Sequence, residues 1–233
     1  MKSSDVVFHL LDSPATLHKS LAYRVARDLA EAIAAKGSAS LMLSGGSTPR
    51  PFLAELAAEN VAWDKVKIGL VDERWVDPGS GESNENLVRA ELLGRGAEAA
   101  SFFGMYREGE SAEQACAAVE ATYKKELYPF DVVVLGMGGD GHTASLFPHR
   151  PELQHLLNDP VICGTAEAPS EPTTRLSLSL HAIASAQHCY LHIEGGEKLA
   201  VYEAAVDGDD DVTSMPIRAV LGHPDIALEV YYT

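Results

Sequence analysis

Residues 131–143 have the sequence DVVVLGMGGDGHT, and this stretch decides the fold prediction. Its first part, residues 131–135, is a continuous apolar run of the kind that is buried on both faces of a parallel sheet. Glycines at 136, 138, 139 and 141 then predict a sharp loop, because glycine tolerates backbone conformations that other residues avoid. The stretch therefore predicts a central strand that ends in an exposed loop carrying Asp140 and His142.

Strand, turn and helix patterns alternate on either side of this stretch. Apolar residues at every fourth position predict a helix over 15–36, which Gly37 ends. Prolines at 148, 151, 160, 169 and 172 make 149–172 loop-rich, and strict alternation over 175–180 predicts a half-exposed strand. Further strands are predicted at 40–43, 66–71, 102–105, 188–193 and 226–232, further helices from 49, at 84–93, 112–127 and 199–205, and an acidic turn at 207–211.

This alternation predicts an α/β protein with a single doubly wound, mostly parallel sheet and helices on both faces. No low-complexity linker and no repeat of fixed period divides the chain, so we expect one domain over residues 1–233. In such sheets ligands bind beyond the carboxyl ends of the strands. The turns at 44–48, 136–142 and 195–196 all follow predicted strands and are expected to lie near one another.

Composition limits the classes of partner. The chain has 233 residues with 34 acidic and 18 basic side chains, a net charge of -16, which disfavours nucleic acid and anionic membranes. No apolar run reaches the length of a membrane span, and the first residues lack the pattern of a secretory signal. Cys116, Cys163 and Cys189 are far apart and lack metal-ligand spacing, which favours reduced thiols. We expect a cytoplasmic protein without metal or cofactor, a monomer or weak homo-oligomer.

A glycine-rich turn follows the strand at 40–43. Its residues have the character of a phosphate cradle, since glycines let the backbone approach an anion and a helix start offers free N–H groups. Ser47 or Thr48 is expected to cap that helix, with Pro49 in its first turn. A plain capped turn is the alternative, and the nucleotide P-loop pattern is absent. The candidate substrate-binding residues of this turn are Ser44, Gly45, Gly46, Ser47 and Thr48.

Asp140 and His142 are the candidate catalytic pair. An imidazole, with a reference pKa of about 6.5, accepts and returns a proton near neutral pH, and a carboxylate nearby holds the ring. The same loop contains G-x-G-x-x-G, but Asp140 stands where a pyrophosphate would lie and Pro148 shortens the following helix. We therefore favour an acid–base role over dinucleotide binding.

Cations near the predicted strand and helix ends are candidate partners for an anionic substrate. Arg74 follows the strand at 66–71, Arg175 begins a strand, and Lys198 lies in the first turn of a helix. Asp72, beside Arg74, is a candidate polar or basic group on the sugar side. A charged strand end is the alternative for the 72–74 segment, and the sequence does not assign any one cation to the phosphate.

These motifs together resemble one family. LSGGSTP at 43–49, DERWV at 72–76, SNENL at 83–87 and GMGGDGHTASLFP at 136–148 are similar to the 6-phosphogluconolactonase family. RLSL at 175–178 and GGEK at 195–198 resemble its later segments, in order, so the resemblance covers about 15–221. It implies metal-free hydrolysis of 6-phospho-D-glucono-1,5-lactone in the oxidative pentose phosphate pathway.

The wider superfamily, as the resemblance implies, includes glucosamine-6-phosphate deaminase/isomerase, which is the main alternative. In that enzyme class Asp-Gly-His is followed by Ile-Ala-Phe-Asn-Glu-Pro, whose Glu assists the histidine. Here residues 143–148 are TASLFP and carry no carboxylate, which favours the lactonase. Asp72 matches a base of the deaminases, so its role stays open. A non-catalytic sugar-phosphate sensor is the third possibility, disfavoured because Asp140 and His142 are both present.

Overall fold

The computed structural model describes residues 6–208 and 211–233. Two predictions concern residues that lie partly outside these ranges. They are the acidic turn at 207–211 and the absence of a secretory signal at the start of the chain. Within the described ranges, the strands are β1 Val7–Leu10, β2 Ala39–Leu43, β3 Val66–Leu70, β4 Asp72–Arg74, β5 Ser101–Phe103, β6 Val132–Leu135, β7 Cys163–Glu167, β8 Thr174–Leu178, β9 His188–Ile193 and β10 Leu228–Tyr232. The helices are α1 Pro14–Lys36, α2 Pro49–Ala57, α3 Asn84–Glu91, α4 Ala112–Glu126, α5 Leu153–Asn158, α6 Leu180–Ile183, α7 Gly196–Asp207 and α8 Ile217–Leu221.

Seven strands form a central parallel sheet in the order β1-β10-β9-β6-β2-β3-β5. The α/β class and the mostly parallel sheet predicted from the sequence are confirmed. From β2 the chain proceeds outward through β3 and β5, and from β6 it proceeds the other way through β9 and β10. Because such crossovers are right-handed, the reversal places connecting helices on opposite faces. The switch point lies between β2 and β6, where a ligand crevice is expected.

The two strands at the switch point are apolar and buried along their whole length. Every residue of β2 and of β6 is buried, and Leu43 is paired with Val134 at their carboxyl ends. Burial on both faces explains why these strands show continuous rather than alternating apolar sequence. The helix before β2 ends as predicted, with Gly37 at φ 87° in the left-handed region.

A second sheet, antiparallel and three-stranded, has the order β4-β8-β7 and was not predicted. The prediction of a half-exposed strand at 175–180 is wrong, because four of the five β8 residues are buried. The alternating serines of the 175–180 segment have hydrogen-bond partners inside the protein. The Ser177 hydroxyl accepts from the Ser145 N–H at 3.0 Å, and the Ser179 hydroxyl accepts from the Ala182 N–H at 3.1 Å.

Two further elements depart from the predictions. The proline-rich segment 149–172 is not only loop, since it contains α5 and β7. The edge strand β1 was not predicted, and it is held by parallel pairing with β10. In the described part of the chain, no helix is both long and apolar enough to span a membrane.

Candidate active site

A cavity of about 300 Å³ opens beyond the carboxyl ends of β2 and β6. This volume suits a small molecule, and the position is the switch point of the sheet. Most of the predicted site residues line it, namely Ser44, Gly45, Gly46, Ser47, Thr48, Asp72, Arg74, His142 and Lys198. Asp140 and Arg175 lie outside the lining. The fold therefore brings together residues that are up to about 150 positions apart in the sequence.

The turn after β2 keeps free N–H groups at the cavity. Among the hydrogen bonds of residues 6–208 and 211–233, none is donated by the N–H groups of residues 45–48. Gly46 has φ 95°, and a Cβ at Gly45 would lie 1.7 Å from Asn84 Oδ1, so glycine is required at both positions. Free N–H groups at the start of a nine-residue helix have the chemistry that suits an anion.

The prediction that Ser47 or Thr48 caps α2 is confirmed for the position of Thr48 but is wrong for its side chain. Thr48 is the N-cap residue, but its backbone is helical, with φ -58° and ψ -44°, and no side chain makes a capping hydrogen bond. An N-cap side chain reaches back to the helix only from an extended backbone, so the hydroxyl is not used in this way. Pro49 does occupy the first turn, as predicted.

His142 and Asp140 form the hydrogen-bonded pair that the sequence predicts. The imidazole Nδ1 lies 2.5 Å from Asp140 Oδ1, and the same oxygen accepts the His142 backbone N–H at 3.1 Å. Partial burial by itself would raise the pKa of Asp140, but the hydrogen bonds and charge of His142 lower it to about 2. An ionised Asp140 accepts a hydrogen bond from the protonated Nδ1, so Nε2 is the ring nitrogen left to act as a base.

The imidazole ring is held from two other sides. The ring of Phe147 lies with its centroid 4.7 Å from that of His142. On another side the ring lies against the backbone of Gly138, where an added Cβ would be 2.1 Å from Nδ1 and 2.6 Å from Asp140 Oδ1. The absent side chain at 138 is therefore what lets the Asp140–His142 pair fit against the loop.

Asp72 is a buried carboxylate at the cavity wall. Its Oδ2 accepts from the Ser145 hydroxyl at 2.6 Å, and its Oδ1 accepts from Asn84 Nδ2 at 3.2 Å. Asp72 is thus joined to the segment that follows His142 and to the first residue of α3. Both carboxylate oxygens of Asp72 thus accept hydrogen bonds from the protein itself.

Glu73 does not line the cavity, and its carboxylate is hydrogen-bonded to the start of α3. Its fully buried carboxylate accepts from the N–H groups of Arg74, Asn84 and Glu85 and from the Ser83 hydroxyl, at 2.7 to 3.1 Å. Burial raises the pKa of Glu73 to about 7, although these donors oppose the shift. This side chain satisfies orphan donors at the helix start and so positions Asn84 beneath the turn at Gly45.

The three predicted cations have different surroundings. Arg74 lines the cavity and its Nη1 donates to the Glu82 carbonyl at 2.6 Å. Lys198 lines the cavity from the first turn of α7, and no acidic group of the described residues lies within 4.0 Å of its ammonium. Arg175 is buried, donates to the carbonyls of Pro172 and Thr174, and burial lowers its pKa. Lys198 is consequently the cation most available to a ligand.

Two cavity residues, His192 and Glu194, were missed by the sequence analysis. Glu194 Oε1 accepts from His18 Nε2 at 2.8 Å and from His192 Nε2 at 2.9 Å. The hydrogen bond with His192 lowers the pKa of Glu194 to about 2, against the effect of its burial, while burial lowers the pKa of His192. Within the described ranges, the donor atoms of these three side chains lie within 4.8 Å of one another, close enough to hold a metal ion. The hydrogen bonds from the two histidines to Glu194 are sufficient to explain why the three side chains lie together.

No sequence signal identified this group, because His18 comes from α1 and is 176 positions from Glu194. Asn84 was also missed as a cavity residue, although it belongs to the SNENL motif. Its position follows from contacts with Asp72 and Gly45 that only the folded chain creates.

The fold and the cavity define a doubly wound α/β protein with a small-molecule site at its switch point. Residues 12–228 match the family described as glucosamine-6-phosphate isomerases/6-phosphogluconolactonase. The chain is 44% identical over 229 residues to the 6-phosphogluconolactonase of Pseudomonas putida, covering 97% of this chain and 93% of that one. For the Rhizobium meliloti (strain 1021) 6-phosphogluconolactonase the identity is 43% over 230 residues, with coverage of 96% and 97%.

A crystal structure of a 6-phosphogluconolactonase from Shewanella baltica OS155 has a TM-score of 0.95 to this fold at 40% identity, covering 99% of each chain. The chain therefore belongs to the glucosamine-6-phosphate isomerase/6-phosphogluconolactonase family. The resemblance inferred from the sequence motifs is confirmed.

Proposed function

We propose that this protein hydrolyses 6-phospho-D-glucono-1,5-lactone to 6-phospho-D-gluconate, the second step of the oxidative pentose phosphate pathway. The observation that carries the proposal is that one cavity is lined by both His142 and the glycine turn at 45–48. A base and an anion site in one cavity suit a substrate with a phosphate at one end and a hydrolysable carbonyl at the other. Two relatives named 6-phosphogluconolactonase, at 43–44% identity, support this substrate.

The phosphate binds at the N-terminus of α2. The free N–H groups of Gly45, Gly46 and Ser47 donate to its oxygens, and Lys198 supplies the positive charge. Lys198 is assigned here because it has no acidic partner in the described ranges, whereas Arg74 is already held by Glu82. Anchoring the phosphate positions the lactone carbonyl and turns a bimolecular attack into a positioned one.

His142 acts as the general base on water. Its Nε2 removes a proton, and the resulting hydroxide attacks C1 of the lactone to give a tetrahedral oxyanion. Arg74, preorganised by its hydrogen bond to the Glu82 carbonyl, stabilises that charge. The imidazolium then protonates the ring oxygen as the C1–O bond breaks, and Asp140 steadies the ring throughout.

Glu194 completes the cavity as an acceptor for a substrate hydroxyl. Its Oε1 is occupied by His18 and His192, while its Oε2 has no hydrogen-bond partner in the described ranges. An ionised carboxylate with one free oxygen binds a sugar hydroxyl well and repels phosphate. This arrangement favours a hydroxylated lactone ring lying between the anion turn and Glu194.

The deaminase alternative lacks the group it needs. After His142 the chain continues as TASLFP, and its hydroxyls serve the fold: Thr143 donates to the Gly136 carbonyl at 2.8 Å and Ser145 donates to Asp72. No carboxylate of residues 143–148 is present to assist the imidazole in amino-sugar chemistry. The sensor alternative is opposed by the formed Asp140–His142 pair.

The direct test is His142→Ala, assayed as lactone hydrolysis above the spontaneous rate. Loss of a positioned general base lowers kcat by roughly 10²–10⁴. His155→Ala is a matched control, because His155 forms a similar pair with Asp159, 2.6 Å apart, but does not line the cavity. An unchanged rate in folded His142→Ala protein would remove His142 from the mechanism.

Substrate class is tested separately. Wild-type protein is incubated with glucosamine 6-phosphate, and ammonia release is measured beside lactone turnover. We expect turnover of the lactone and no ammonia. Ammonia release would support the deaminase, whereas tight binding of 6-phosphogluconate without lactone turnover would support the sensor.

A further inference from the structure

Two of the three cysteines meet outside the cavity. Cys116 lies on α4 and Cys163 begins β7. The Cys116 Sγ is 3.6 Å from the Cys163 carbonyl oxygen, and the Cys163 Sγ is 3.9 Å from the Cys116 carbonyl oxygen. Each thiol therefore approaches the backbone of the other residue, and the two side chains are hydrogen-bonded to each other. A disulfide requires this mutual approach of two side chains.

The two thiols differ in exposure and acidity. Cys116 is partly exposed, whereas Cys163 is buried. A hydrogen bond with Cys163 lowers the pKa of Cys116, against the effect of burial, and the same bond together with burial raises the pKa of Cys163. The accessible, more acidic thiol is therefore Cys116, and the buried one is its neighbour. Cys189 stands apart, buried in β9, where burial raises its pKa to about 12.

We propose that Cys116 and Cys163 are a thiol pair that a hydroperoxide oxidises to an intramolecular disulfide. Cys116 attacks the peroxide as thiolate, which breaks the O–O bond and yields a sulfenic acid and hydroxide; the hydroxide takes up the proton that Cys116 lost and becomes water. The Cys163 thiol then displaces the sulfenic oxygen as a second water and forms the S–S bond. Two thiols and one hydrogen peroxide become one disulfide and two water molecules.

The bond joins parts of the fold that frame the active site. It connects α4 to β7 in the small antiparallel sheet, whose strand β4 carries Asp72 and Arg74 to the cavity wall. The chain enclosed between residues 116 and 163 includes β6 and the loop of His142. Oxidation therefore closes a covalent ring of chain that contains β6 and the loop with the proposed base.

The test exposes folded wild-type protein to hydrogen peroxide and then counts thiols after denaturation. We expect the count to fall from three to one, with a mass lower by about 2 Da and a peptide that joins residues 116 and 163. Cys189→Ser is the matched control and still loses two thiols. Cys116→Ser keeps both of its remaining thiols.

A second variant separates the two steps. In Cys163→Ser the sulfenic acid on Cys116 has no resolving thiol, and dimedone traps it. Three thiols remaining in wild-type protein, a disulfide between two copies, or oxidation of Cys116 only to the sulfinic acid would overturn the proposal. The wild-type measurement decides the matter even if a variant does not fold.

Discussion

Gly138→Ala tests whether the imidazole of His142 must sit where the fold places it. A Cβ at residue 138 would lie 2.1 Å from His142 Nδ1, 2.2 Å from its Cε1 and 2.6 Å from Asp140 Oδ1. Gly138 does not have a positive φ, so alanine brings a steric conflict without backbone strain. The methyl group therefore acts on the pair directly.

The size of the effect follows from these distances. Ordinary contact begins near 3.4 Å, so the ring must retreat by about 1.3 Å, the difference between 3.4 and 2.1 Å. Displacement of a catalytic group by about 1 Å costs on the order of 10²-fold in rate. The 2.5 Å hydrogen bond to Asp140 is lost or distorted by the same movement. We expect kcat to fall about 10²-fold with a smaller change in KM.

The assay is the initial rate of lactone hydrolysis above the spontaneous background, with circular dichroism to verify folding. Gly139→Ala is the matched control, because a Cβ there meets no atom within 4 Å and its φ is also not positive. Gly139→Ala is expected to keep the wild-type rate. The reasoning is refuted if Gly138→Ala retains wild-type kcat, or if both variants lose activity equally.

Three further predictions concern Lys198, Asp140 and Glu73. Lys198→Ala removes the proposed phosphate cation and should raise KM about 10-fold to 100-fold with little change in kcat, while an unchanged KM would assign the phosphate elsewhere. Asp140→Asn should lower kcat by about 10²-fold or more, because the ring loses the acceptor that keeps the proton on Nδ1; equal rates in both proteins would make Asp140 dispensable. The pKa of Glu73 is about 7 in the folded protein and 4.5 in the unfolded chain. Its contribution to the free energy of unfolding is therefore fully present below pH 4.5 and is lost as the pH rises through 7. The measurement is the free energy of unfolding in urea, for wild type and Glu73→Gln, between pH 5 and 8. We expect this free energy to fall with pH by about 3 kcal/mol at most in wild type and to show no such fall in Glu73→Gln; the same pH dependence in both proteins would contradict the prediction.

Local patterns predicted the parts of the fold whose sequence reflects their own burial. The apolar runs of β2 and β6 and the four-residue period of α1 predict those elements correctly. The small antiparallel sheet escaped prediction because Ser177 and Ser179 alternate with leucines over 175–180, as polar residues do on a strand face exposed to water. Only the folded chain supplies the internal partner that makes a buried Ser177 hydroxyl stable.

The active site also has parts that local sequence predicts and parts that only tertiary contacts determine. Glycine spacing and residue type by themselves determined the turn at 45–48 and the Asp140–His142 pair, because both form within a few residues of one another. The tertiary structure alone decided that Lys198 and Arg74 line the cavity while Arg175 does not, and that His18 reaches Glu194. Such contacts depend on which strands are neighbours in the sheet. The order of the strands depends on how the whole core packs, and it cannot be predicted from any short segment of the sequence.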